Sequence, residues 1–166
     1  ADPGHQLPVQ ALPDDVTHSR LRLGQLVWND SLRALPEVLQ QAGYHEDWCS
    51  QLSAPLTHIP ANLMLPALER ITREPTPANR LGRVFALSHW APLQGILEVS
   101  LLESLQAAGV LQERQGLFAS TVDLAPASGL YLASDRAWGP ARVPDSVYSP
   151  GLDSYAMCRW TPRWKV

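Results

Sequence analysis

The chain has 166 residues, of which 45% are hydrophobic and 17% charged, with fifteen prolines and a net charge of −3. That is enough for one domain with a core, or a small domain plus an accessory helical layer, and it is too apolar for a disordered chain. The negative balance excludes a global attraction to nucleic acid or anionic lipid, so any such binding has to come from a local patch. No run approaches the roughly eighteen apolar residues of a membrane helix, and no charged-then-apolar leader opens the chain, so a soluble, cytoplasmic protein without a membrane partner is expected. Cys49 and Cys158 are too few and too far apart to read as a disulfide framework. Ala1-Asp-Pro-Gly4 stands where an initiator Met would be, reads as a processed or engineered end and is left out of the fold argument.

Residues 1–13 carry three prolines and no periodicity, and read as a flexible lead-in. A first helix is expected over Val16–Trp28, with Leu23, Leu26 and Val27 on one face. Asn29-Asp-Ser31 caps a second over Leu32–Ala42, where Leu32, Leu35, Val38 and Leu39 repeat at helical spacing and Pro36 kinks or restarts the helix. Gly43 stops it as the left-handed residue, with Tyr44 folding back as the apolar partner. A short helix follows near Glu46–Leu52. Another spans Ala61–Arg73, with Leu65, Leu68 and Ile71 on one face and Pro66 in the first turn. Glu74-Pro-Thr-Pro77 reads as a break, the boundary between a helical layer over 14–77 and a second module over 78–136.

In that module a helix over Asn79–Leu87 presents Leu81, Val84 and Phe85, and a short element lies around Pro92–Leu97. Ser100-Leu-Leu-Glu103 reads as a capping box that opens a helix ending at Gly109. Two β-compatible runs follow, Leu111–Val122 and Gly129–Ser134, with Ala125-Pro-Ala-Ser128 turning between them. The expected class is mainly α with a small β-hairpin, α+β, built as a helical layer plus a winged-helix-like module. The shared ends Leu39-Gln-Gln-Ala-Gly43 and Leu105-Gln-Ala-Ala-Gly109 point to one helix-stop chemistry rather than to a repeat.

A winged helix invites DNA reading by its third helix. Here that helix, Ser100–Ala108, holds one Glu and no Lys or Arg, so groove entry would forgo the phosphate contacts that dominate affinity. The basic cluster lies elsewhere: Arg70, Arg73, Arg80 and Arg83, two pairs at i, i+3 on adjacent helices. Two uses stay open for it, a solvated face paired with Glu69 and Glu74, or a contact to RNA or phosphate. His45 and Cys49 stand at i, i+4 with His58 beyond, but structural zinc needs a second ligand pair and none is present, so no metal is expected. No Gly-x-Ser-x-Gly elbow surrounds Ser154, and neither cysteine belongs to a nucleophile motif, so no catalytic residue is assigned. Trp138, Tyr148, Tyr155, Trp160 and Trp164 interleave with Arg159, Arg163 and Lys165, as an interdomain interface or a base-stacking surface would require, and exposed they would favour self-association.

The stretch Val147-Tyr-Ser-Pro-Gly-Leu-Asp-Ser-Tyr-Ala-Met-Cys-Arg-Trp-Thr-Pro-Arg163 resembles the segment just ahead of the cofactor-binding sheet in class I S-adenosylmethionine-dependent methyltransferases, notably the small-domain ribosomal RNA and release-factor glutamine methyltransferases. The helical region leading into Leu81–Asp135 also looks like the amino-terminal domain of a bacterial subgroup of these enzymes. The resemblance implies that Tyr148, Asp153 and Ser154 approach the cofactor in the full-length enzyme, supported by Tyr155. It also implies that residues 137–166 form a linker and the start of the methyltransferase domain. The chain has no two glycines separated by one residue and no Asn-Pro-Pro-Tyr type tetrapeptide. It is therefore expected to be the non-catalytic front part of such an enzyme, which helps select an RNA or protein substrate and covers the cofactor pocket. Its partner would be its own carboxy-terminal catalytic domain, and alone it would bind no S-adenosylmethionine. The competing expectation is a free-standing winged-helix module that binds nucleic acid or protein.

Overall fold

The computed structural model describes residues 27, 29–53, 61–87 and 89–135. Within them lie five helices and two antiparallel hairpins, an α+β fold. The expected helix over Val16–Trp28 falls outside the described residues apart from Val27, which is not helical and whose N–H donates to the Ala108 carbonyl at 3.1 Å.

Helix α1, Asp30–Gln41, begins as its sequence demands. Asn29 is extended, and its Oδ1 accepts the Leu32 N–H at 3.1 Å. The same side chain donates from Nδ2 to the Ser104 carbonyl, so the cap also fastens α1 to α5, Val99–Ala107. Leu32, Leu35 and Leu39 recur on one face and are buried. The helix runs through Pro36 without restarting.

It ends in a full Schellman turn: Gly43 at φ +85°, the Tyr44 N–H on Leu39 O and the Gly43 N–H on Gln40 O. Leu39 and Tyr44, the apolar pair that this motif brings together, are both fully buried. The end of α5 repeats the device, with Gly109 at φ +81°, Val110 N–H on Leu105 O and Gly109 N–H on Gln106 O. The similar sequences thus share a stop.

Helix α2, Glu46–Ser53, buries Trp48 and Leu52 one turn apart. In α3, Ala61–Ile71, Pro66 is the sixth residue and not in the first turn as expected. Leu68 packs on the core, whereas Ile71 is 38% exposed and leaves the shared face; the Leu65 side chain lies outside the described residues. Thr72, next along, is buried instead, and its hydroxyl donates to Leu68 O at 2.8 Å.

Helix α4, Pro77–Phe85, starts two residues before the expected position. Thr76 caps it, accepting the Asn79 N–H at 3.2 Å, and Pro77 takes the first helical position, where a missing N–H costs nothing. What reads as a break at Thr76-Pro77 is therefore a helix start. Helix α5 corrects the capping box in the opposite sense: Ser100 is already helical, the cap residue is Glu98, and no side chain bonds there. The first carbonyl used is Glu98 O, which accepts from Leu101 and Leu102.

The run Leu111–Val122 is not one strand. It folds into a hairpin of β1, Leu111–Arg114, and β2, Leu117–Ser120, about Gln115-Gly116, with φ of +53° and +78°. Positive φ at both loop residues is the twist that two-residue hairpins need. The second hairpin pairs β3, Val122–Ala127, with β4, Leu130–Asp135, about Ser128-Gly129, at φ +51° and +73°. The turn thus falls later than Ala125–Ser128. Pro126 is tolerated within β3 because it sits opposite Tyr131, one step from the loop-flanking pair Ala127 and Leu130. At that position an N–H would point away from β4. Ala91 bridges to Phe118, with both N–H groups bonded across, and adds a short third partner to the first hairpin.

One hydrophobic cluster joins Leu32, Leu39, Tyr44 and Trp48 to Leu81, Phe85, Leu105, Phe118 and Leu124, so the core is continuous across Glu74–Pro77. No helix among the described residues is long and apolar enough to cross a membrane.

Candidate functional site

Three places among the described residues gather polar chemistry: the loop and first turn around His45–Cys49, the open pocket beside them, and the arginines of α3 and α4.

At the first, His45 Nδ1 lies 3.8 Å from Asp47 Oδ2. Burial, and then the Glu46 carboxylate, push the Cys49 thiol up from 9.0 to about 11, which keeps it protonated and a poor nucleophile at neutral pH. No group of three or more His, Cys, Asp or Glu able to hold a metal exists among the described residues. His58, the further candidate beside this pair, lies outside them.

The adjoining pocket, of ≈ 240 Å³, is lined in part by His45, Glu46, Asp47 and Tyr131. Two of its polar groups, Glu46 and Tyr131, are engaged in holding the second hairpin. Glu46 Oε2 accepts the Ser128 N–H at 2.9 Å, and the Tyr131 hydroxyl donates to the Tyr44 carbonyl. The Tyr44 hydroxyl in turn donates to the Leu124 carbonyl. The pocket is the mouth of a seam between α2 and the β3–β4 hairpin.

This seam makes the fold sensitive to alkali. Burial and then Cys49 push the Tyr131 phenol up from 10.0 to about 12. For both groups the folded state favours the neutral form, so below pH 9 neither penalises folding. As pH rises from 9.0 to about 11 the unfolded chain ionises Cys49 first, and from 10.0 to about 12 Tyr131 likewise, and each withdraws stability. Denaturant midpoints measured from pH 7 to 11 should stay level to about pH 9 and then fall. The Cys49→Ala variant should hold its own midpoint to higher pH, and an equally early fall in that variant would contradict the assignment.

The third place is the one that the sequence singles out by charge. Arg70 and Arg73 are exposed at the end of α3, and Arg80 and Arg83 are half-exposed on α4, opposite the buried Leu81, Val84 and Phe85. The expected pairing with Glu69 and Glu74 does not occur, since none of the four arginines makes an ion pair among the described residues. Glu69 instead meets His89 Nε2 at 3.1 Å. The His89 N–H donates to the Arg83 carbonyl at 2.8 Å. This chain of contacts ties the end of α4 to the last turn of α3, and so links the two arginine pairs. Arg83 Nε is buried, with no hydrogen-bond partner among the described residues. Sequence spacing reveals the pairs; the His89 link, twenty residues from Glu69, has no local signal.

The candidate cofactor residues Tyr148, Asp153 and Ser154, with Tyr155 and Cys158, lie outside the described residues. In comparisons with known proteins the chain matches no family model, no curated protein and no solved structure.

Proposed function

We propose that the chain is the non-catalytic amino-terminal domain of a class I S-adenosylmethionine-dependent methyltransferase, which takes part in substrate recognition and covers the cofactor pocket. The observation that carries this reading is the sequence Val147–Arg163 with its aromatic position, Pro-Gly turn and Asp-Ser pair. In it Tyr148 offers an aromatic face, Asp153 a carboxylate and Ser154 a hydroxyl to the cofactor, with the floor of the pocket supplied by a catalytic domain placed after Val166. A cytoplasmic location and a contact with that domain go with the reading. The α+β unit is compatible with an accessory role, because Glu46 and Tyr131 at the hairpin seam are spent on structure.

A cofactor site has to bury most of its ligand, and a few side chains ordered on binding cannot offset their own entropy. S-adenosylmethionine titrated calorimetrically into the 166-residue chain should give no binding heat. A chain extended through the following sheet should bind it, and Asp153→Ala should weaken that binding without changing the thermal midpoint. Micromolar binding by the 166-residue chain, or an extended chain that does not bind, would remove the reading.

The second reading, a free-standing winged-helix binding module, is favoured by the order α4, the Ala91 bridge, α5 and the β1–β2 hairpin. The parent reading frame beyond Val166 separates the two: a strand followed by closely spaced glycines belongs to the first.

A further inference from the structure

We infer that the outer edge of β4, Leu130–Asp135, pairs with the same strand of a second copy of this chain, so that two hairpins continue into one antiparallel sheet in the order β3-β4-β4-β3. The inference goes beyond the methyltransferase reading and stands without it, since it uses only the two hairpins and the residues that border them.

The register decides which backbone groups face outward. Ala127 and Leu130 flank a two-residue loop and exchange hydrogen bonds, so the alternate pairs Pro126–Tyr131, Leu124–Ala133 and Val122–Asp135 do not, and their backbone groups point away from the hairpin. On β3 that outward row is closed. Ser120 Oγ donates to the Val122 carbonyl at 2.6 Å and accepts the Val122 N–H at 3.2 Å, the Leu124 carbonyl accepts from the Tyr44 hydroxyl, and Pro126 has no N–H to offer. On β4 the row is open: among the described residues no group meets the outward N–H or C=O of Tyr131 or Ala133.

Edge strands that must stay single are blunted by charge, proline, a bulge or shortness. Leu130–Ser134 has no charge and no proline, and β4 pairs with β3 over six unbroken positions. Ala133 is exposed and Leu130 is 40% exposed. The first hairpin is the contrast. Its β1 is four residues long and carries Gln112-Glu-Arg114, and the outer edge of β2 is taken by Ala91.

The edge itself selects a second copy as its occupant, because an antiparallel edge is its own complement about a two-fold axis. With the axis through Ala133, the Ala133 residues of the two copies stand opposite one another, and Tyr131 of each meets the backbone of Asp135 of the other. Every outward N–H then faces an outward C=O, and only a methyl group from each copy stands at the axis. The closed edge of β3 stops the assembly at two copies. The contact is small, so the dimer is weak, with a dissociation constant on the order of 100 μM.

The measurement is sedimentation velocity on the 166-residue chain from about 5 to about 500 μM, with amide hydrogen exchange at both ends of the series. The mass should rise toward twice that of the chain and stop there. The Tyr131 and Ala133 amides should exchange severalfold more slowly at the higher concentration, whereas the Leu132 amide, already bonded to Ala125 within the hairpin, should not change. Ala133→Lys sets two charges against each other at the axis and should keep the chain monomeric with its dilute thermal midpoint unchanged. Ala133→Pro removes the outward donor without touching the ladder to β3 and should do the same; if proline unfolds the hairpin, the lysine variant decides. Ser100→Lys, the same change of charge at an exposed position of α5, should dimerise as the parent does. A chain that stays monomeric, association that Ala133→Lys leaves intact, or growth past the dimer would each overturn the inference. So would a dimer whose Tyr131 and Ala133 amides exchange as in the monomer, the result that self-association through Trp160 and Trp164 would give.

Discussion

Tyr44→Ala is expected to cost about 3–5 kcal/mol, the range for emptying a large aromatic from a packed core. Against a usual total of roughly 5–15 kcal/mol, such a loss can leave the chain largely unfolded. Tyr44 is fully buried at the point where three elements meet. Its ring stands edge-on to Trp48 with centroids 5.2 Å apart, and it faces Phe85 and Tyr131 at 6.3 and 6.2 Å. Its hydroxyl donates to the Leu124 carbonyl and its own carbonyl accepts from Tyr131. Tyr44→Phe keeps the ring and strands Leu124 O, and should cost about 1–3 kcal/mol. Urea titration of the two variants separates packing from hydrogen bonding. If Phe were as damaging as Ala, the hydroxyl rather than the ring would dominate.

Gly82→Ala tests the same core from the other side, and here two effects oppose each other. In an ordinary helix the change gains about 1 kcal/mol, because Gly has the greater backbone freedom to lose. At this position in α4, however, the new Cβ would lie 1.9 Å from Trp48 Cη2 and 2.3 Å from Cζ2. The indole has little room to yield: it is buried, its Nε1 donates to Asn79 Oδ1 at 2.9 Å, and Tyr44 closes one side. Overpacking of this kind costs about 1–3 kcal/mol or more, so the clash wins and the thermal midpoint should fall. In a Trp48→Leu background the clash is gone and Gly82→Ala should be neutral or stabilising. A Gly82→Ala chain more stable than the parent would show that the indole moves freely.

What the sequence discloses about this fold is mostly chemistry settled within a few residues. The Asn29 cap and the stops at Gly43 and Gly109 follow from local hydrogen bonding, and each is found where its residues place it. The readings that fail do so where two local rules compete. Thr76-Pro77 satisfies the description of a break and of a helix start, and the free Asn79 N–H decides for the start. Ser100 and Glu103 have capping-box spacing, but the cap falls two residues earlier, at Glu98, and leaves Ser100 inside the helix. Gln115 and Ser128 give little warning of positive φ, so the first hairpin loop escapes notice and the second is placed too early, at Ala125–Ser128, although a glycine follows each. Of the candidate site, arginine spacing is visible in the sequence. Their release from Glu69 is not, because it depends on where His89 is carried by the fold.

The tyrosine pair at the hairpin seam also bears on the order in which the chain assembles. Each helix stop joins residues five apart, such as Leu39 and Tyr44, and can close as soon as its helix forms. The hydroxyl of Tyr44 reaches a residue 80 positions away, and that of Tyr131 reaches one 87 positions away. Loops of that length carry a closure cost that nothing repays until the intervening helices have collapsed onto one another. The seam is therefore expected to close late, after the local turns and the intervening helices, when the second hairpin is drawn against Tyr44 and joins two distant parts of the chain.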